Sequence, residues 1–158
     1  MIQRIQTVFL ALVVLLGVAA SFFPILKFIG MDGSALMNLY KTTVVENSDI
    51  ILTKNMGVGA IQGIVQLVAL AAIFLFKNRS LQIKIGKLII LLIAFQIAAI
   101  VMYSDTVKSV LIASEGNEPA ISFELGAIIP LLSLICTYLA IHFIKKDDKL
   151  VRSADRLR

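Results

Sequence analysis

An all-α integral membrane protein with four transmembrane helices, and a small β-hairpin in its first outer loop, is the fold class that this sequence predicts. Three observations carry it. The first is composition: 59% of the 158 residues are hydrophobic and 16% charged, with a mean hydropathy of +0.94, where soluble domains have about 45–50% apolar and about 25% charged residues. A chain of one domain's length cannot hide that much apolar surface from water, whereas a bilayer is itself an apolar solvent. The second is the gathering of the apolar residues into four segments, each near the roughly 20 residues that a helix needs to cross about 30 Å of hydrocarbon. The third is the placement of Lys and Arg on alternate connections.

Span one covers about residues 5–26 (IQTVFLALVVLLGVAASFFPIL). Arg4 and Val18-Ala19-Ala20-Ser21 also fit a cleaved signal peptide, but Phe22, Phe23 and Pro24 carry the apolar run past that cut. Span two covers about 57–76, span three about 85–103 and span four about 121–144. Helix is the conformation that satisfies backbone hydrogen bonds in lipid for segments that cannot close a barrel. Between spans one and two, KTTVV (41–45) and IILT (50–53) are β-branched runs around Glu46-Asn47-Ser48-Asp49, turn-forming residues that predict a hairpin. Residues 104–120 read as a second outer loop whose Ser114–Pro119 stretch turns into span four. The connection between spans two and three is short, so these form an antiparallel pair.

Arg4, the 77–87 connection (Lys77, Arg79, Lys84, Lys87) and the tail (Lys145, Lys146, Lys149, Arg152, Arg156, Arg158) hold eleven of the 15 basic residues. The other two connections hold Lys27, Lys41, Lys54 and Lys108 together with six acids. This bias predicts cytoplasmic N- and C-termini and two outward-facing loops.

Chemistry is sparse. The single cysteine, Cys136, permits no intramolecular disulfide and no C-x-x-C pair, which excludes a four-span thiol oxidoreductase of the quinone-linked kind. His142 has no neighbouring His, Cys or carboxylate with metal-ligand spacing. Asp105, Glu115 and Glu118 read as a solvated acidic loop. No nucleophile stands beside a base, and no phosphate-binding loop occurs, so catalytic residues, metals and cofactors are not predicted.

Polar side chains inside spans are costly and merit separate attention. Gln62 and Gln66 share one face of span two, beside the pair Gly59 and Gly63, a G-x-x-x-G spacing that lets helices approach closely. Gln96 in span three is their natural hydrogen-bond partner, because an unpaired buried amide costs about 2–7 kcal/mol. Glu124 falls in the first turn or two of span four, and Pro130 predicts a kink there. Packing is the simpler reading of this group; a polar path for a transported solute is the alternative.

The tail, residues 145–158, has helical stripes. Lys145, Lys149, Arg152 and Arg156 form a basic stripe; Leu150, Ala154 and Leu157 form an apolar one. An amphipathic basic helix lies on anionic lipid or docks on a partner. Lipid attraction is about 1 kcal/mol per basic residue, and Asp147, Asp148 and Asp155 offset part of it, so a protein partner fits the mixed charge better than lipid alone. No aromatics interleave with the bases, and nucleic-acid binding is not predicted.

The opening MIQRIQTVFL and the closing KKDDKLVRSADRLR resemble those of a family of small four-span membrane proteins from Bacteroidota, a domain of unknown function. The resemblance implies four spans and an inner-membrane location, and brings no activity and no functional residues. The β-bearing first outer loop also resembles the claudin arrangement, but this chain lacks Trp and has one Cys. The expectation is therefore a non-enzymatic inner-membrane scaffold or accessory subunit that contacts membrane lipids and a protein partner or a second copy of itself. The alternative is a transporter or channel subunit lined by Gln62, Gln66, Gln96 and Glu124.

Overall fold

Residues 5–30, 33–46, 50–76 and 78–155 are described by the computed structural model, the side chains of 115 and 151–155 excepted. In chain order these form helix α1 (Ile5–Ala20), strands β1 (Leu26–Ile29), β2 (Ser34–Met37), β3 (Lys41–Val44) and β4 (Ile51–Lys54), helices α2 (Met56–Phe74) and α3 (Arg79–Glu115), strand β5 (Ala120–Phe123) and helix α4 (Leu125–Asp155). Helix α1 packs on α2 and α4, and α3 packs on the same two, so the helices form a ring that runs alternately up and down. Helices α2, α3 and α4 are each long and apolar enough to cross a membrane. The 16 residues of α1 rise about 24 Å at 1.5 Å each.

The strands form one antiparallel sheet of order β4-β3-β2-β1-β5, at the end of the ring where α1 finishes and α2 and α4 begin. The expected hairpin is present as β3 and β4, which pair Lys41 with Lys54 and Thr42 with Thr53 across a bulge. It is part of a larger sheet, because LKFI and SALM also alternate with period two. Leu26, Phe28, Ala35 and Met37 point inward and are buried, and the register sets Leu26 opposite Met37 and Phe28 opposite Ala35. A hairpin alone is marginal in water; here its β2 and β1 neighbours and the helices behind supply the missing burial.

Four boundaries differ from the sequence reading, the first being the start of α3 at Arg79 where span three was drawn from about residue 85. Span one was drawn to residue 26, but α1 ends at Ala20, where Pro24 and the pull of the sheet take over. Residues 104–115 continue α3 rather than forming a loop, because Val107 and Leu111 are buried against the sheet and no Gly or Pro intervenes. Gly116 stops the helix with a left-handed φ of 74°, donating to Ile112 O at 2.8 Å, a conformation that favours glycine. Residues 121–123, drawn as the start of span four, belong with Ala120 to strand β5, paired with β1 through Leu26–Phe123 and Phe28–Ile121.

Helix α4 starts where the β1 segment takes up its first free donors. Glu124 N–H donates to Ile25 O at 3.1 Å and Gly126 N–H to Pro24 O at 2.9 Å, satisfying groups that a helix start otherwise leaves open. The core has two parts. One lies under the sheet, with Phe28, Met37, Leu39, Val58, Val107 and Leu111. The other lies in the helical body, with Leu10, Val13, Val65, Ala69, Ala72, Ile89, Ile93 and Ala140.

Candidate functional site

The polar residues singled out in the sequence do not form one site. Gln96 Nε2 on α3 donates to Gln62 Oε1 on α2 at 2.7 Å, both side chains being buried. Gln66 is half-buried beside them. What makes room for both α2 amides is Gly17 on α1, which the sequence reading passed over: a Cβ there would run into Gln62 Nε2 and stand 2.9 Å from Gln66 Nε2. Its only signal was a lone glycine inside an apolar helix, at a level where the facing helix carries amides.

The G-x-x-x-G pair does not bring two helices of this chain together. Gly59 is covered by the ring of Tyr40, from the bend between β2 and β3, and among the described residues nothing beyond Gly63's own turn of helix lies within 4 Å of where its Cβ would stand. Glu124 lies outside the helix, immediately before α4 and half-buried. Pro130 is inside α4 and buried. Thr137 Oγ1 turns back to Ser133 O at 2.7 Å, a local bond within the helix. Among the described residues, no three His, Cys, Asp or Glu side chains converge to hold a metal ion.

Two polar junctions were not read from the sequence. Asn55, buried between β4 and α2, donates through Nδ2 to Thr42 Oγ1 at 2.9 Å and to Asn38 O at 3.2 Å and accepts from Thr53 Oγ1 at 3.1 Å. It ties the hairpin to the start of α2. An Asn before an apolar helix is an N-cap signature, but this side chain serves the sheet and makes no cap. At the other end of the ring, Arg79 at the start of α3 pairs with Asp147 on α4, Nη2 to Oδ2 at 3.2 Å, and its Nη1 donates to Asp147 O at 3.4 Å.

That pairing fixes the tail. Helix α4 runs without interruption from the apolar segment through Asp155, so residues 145–155 are its continuation. Lys145, Lys149 and Leu150 are exposed, Leu150 at 61%. Arg152 belongs to α4 but its side chain is not described, and Arg156 and Leu157 lie outside the described residues.

A groove of about 490 Å³ opens between α3, β5 and α4. Its walls include Ile97, Ile100, Val101, Phe123, Ile128 and Leu131, and its sheet end carries Ser104, Asp105 and Lys108. Lys108 Nζ lies 3.4 Å from Asp105 Oδ1, with both side chains largely in the open. No local pattern points to this groove, since most of β5 reads as the start of a span.

No curated protein and no solved structure matches the chain. A family model described as a domain of unknown function, DUF4293, matches residues 2–157, and the chain belongs to that family.

Proposed function

We propose that this is a four-span bacterial inner-membrane protein with cytoplasmic termini, acting as a non-enzymatic scaffold or accessory subunit that docks a partner protein on its C-terminal helix. The observation that carries the docking is the continuity of α4 from Leu125 to Asp155. A helix made to lie on a bilayer surface breaks from the span before it. This one keeps the span's axis past the Arg79–Asp147 clamp, so the eight residues after Asp147 project about 12 Å further. Lys149 and Leu150 thus stand off the membrane, where a protein can reach them. The interleaved acids fit the same reading: one of them, Asp147, already binds an arginine.

The spans follow from length. Helices α2, α3 and α4 have the length and hydropathy to cross, and exposed Phe22 and Phe23 extend the apolar surface of α1 towards the sheet. The basic 77–87 connection and the tail then lie at the cytoplasmic end, and the sheet faces outward. Two of the three glutamines that a solute path would require, Gln62 and Gln96, are hydrogen-bonded to each other in the core, which supports packing as their role.

Crosslinking and affinity purification from native membranes test the docking. Removing residues 150–158 is expected to release proteins that co-purify with the full chain while the truncated chain still inserts; a co-purifying set unchanged by the truncation would sink the tail-docking reading.

A further inference from the structure

The groove between α3, β5 and α4 has the dimensions of a lipid chain and the charges of a lipid head group. Its α3 wall runs from Ile97 to Lys108, a rise of about 16 Å, close to one leaflet's half of the roughly 30 Å hydrocarbon core. Spread over that length, the groove's 490 Å³ leaves room for extended hydrocarbon. Its walls suit hydrocarbon: Val101, Phe123, Ile128 and Leu131 are all at least half exposed, and Ser104 spends its hydroxyl on Val101 O at 2.7 Å.

The charged residues sit at one end only. Asp105 and Lys108 neighbour each other at 3.4 Å with side chains 66% and 40% exposed, and an exposed pair of this kind holds itself together by about 0–1 kcal/mol. Exchanging it for a pair of external charges therefore costs little. A phosphate would go to the Lys108 ammonium and an amine to the Asp105 carboxylate, an arrangement that a zwitterionic head group with N–H donors satisfies at both ends. An anionic head group would meet the carboxylate unpaired.

We infer that this groove holds one phospholipid of the outer leaflet, an acyl chain lying along α3 and α4 and a primary-amine head group bridging Lys108 and Asp105. The inference rests on the four-span reading. It is tested by native mass spectrometry of the full chain, purified in detergent and incubated with equal amounts of phosphatidylethanolamine, phosphatidylcholine and phosphatidylglycerol bearing the same acyl chains.

The native chain is expected to retain phosphatidylethanolamine above the other two. Lys108→Ala is expected to lower retention of all three about fivefold, the equivalent of one basic residue's attraction for phosphate. Asp105→Asn is expected to erase the ethanolamine preference and leave total lipid nearly unchanged. Ile128→Trp fills the groove and is expected to remove the retained lipid, with circular dichroism confirming native helix content; should that variant misfold, the two exposed charge variants decide. Lipid retention indifferent to all three substitutions, or a preference for phosphatidylglycerol, overturns the site. So does a dimer that Ile128→Trp dissociates without changing lipid retention, since a second copy then occupies the groove. Carbonate extraction of membranes reports on the spans separately: a chain that stays with the membrane but shows no selective lipid loses the groove and keeps the spans, whereas a chain that is soluble without detergent loses both.

Discussion

Phe28, Met37 and Leu39 under the sheet, and Leu10, Val13, Ile89 and Ile93 in the helical body, are all 1% exposed or less, yet equal burial does not mean equal energy. The sheet end fills its core with Leu26, Phe28 and Met37 from strands and Val58, Val107 and Leu111 from helices. The body mixes its branched residues with Ala69, Ala72 and Ala140 and brings helices together over Gly17. In the four-span reading the body is surrounded by lipid as apolar as its own core. Packing and amide bonds then hold it, with little hydrophobic drive between helices. On the same reading the sheet end stands in water, where removing apolar area is the dominant gain. A fractional exposure therefore has to be weighed by the solvent that the residue would otherwise meet.

The largest expected effect breaks or confirms that comparison directly. Phe28→Ala should destabilise by about 3–5 kcal/mol, the transfer and cavity terms together. Ile93→Ala should cost clearly less than the about 2–5 kcal/mol of a soluble core, because its unfolded reference is still lipid. Thermal unfolding in detergent reports both, read from a thiol-reactive dye on the only cysteine, Cys136. Equal costs would show that the two cores share one solvent. Next is Gly126→Ala at the seam between the regions. Its Cβ would press on the backbone of Pro24, 2.8 Å from the carbonyl carbon, and stand 2.9 Å from Phe23 O. Backbone cannot rotate aside as a side chain does, so a loss near the top of the about 1–3 kcal/mol overpacking range is expected, with the melting midpoint as readout.

The same division separates what was legible in the sequence from what was not. The body was readable because lipid-facing and core-facing residues are alike apolar, and a run such as residues 57–76 is then its own signature; α2 follows it within two residues at each end. The sheet end was harder for that same reason. LKFI abuts an apolar run, and AISF runs into the one that follows, so strands of four residues did not stand out from the spans beside them. Only Lys41–Val44 and Ile51–Lys54, isolated by turn residues, stood clear. The extension of α3 to Glu115 was hidden because Ser104, Asp105 and Lys108 ended the apolar run, though nothing there ends a helix. Of the candidate site, the amide pair was readable because a buried amide needs a partner, whereas the groove depends on where β5 sits against α3, a long-range placement that no local pattern encodes.

In the body, the amide pair is the contact to remove. Gln96→Leu would leave Gln62 Oε1 without its donor, and the expected cost is about 1–2 kcal/mol. The coupling of Gln62→Leu with Gln96→Leu in a double-mutant cycle should be near 0.6 kcal/mol, with about 1.7 as the upper end for such bonds. Gly17→Ala tests the same contact from α1. Its methyl would displace the amide of Gln62 and so lose the bond to Gln96. Its cost should shrink when Gln62 is already Leu or Ala, and a cost independent of residue 62 would remove Gly17 from the account.

Gly63 is where the smallest effect says most. It shares its spacing with Gly59, yet among the described residues nothing beyond its own turn of helix lies within 4 Å of its missing Cβ, and Ile64 and Leu67 on the same stretch of α2 are 47% and 69% exposed. For a single chain in lipid, Gly63→Ala should stabilise by up to about 1 kcal/mol, the helix-propensity gain of Ala over Gly, with no other change. Gly59→Ala, by contrast, must push aside the ring of Tyr40 and should destabilise. Two glycines of one motif would then respond with opposite signs, because one meets an aromatic ring from the loop beside the sheet and the other meets only what surrounds the protein. Sedimentation in detergent beside the melting curve separates the remaining case: if Gly63→Ala lowers stability and shifts a dimer towards monomer, α2 carries a contact between copies, and its open face belongs to an assembly rather than to lipid.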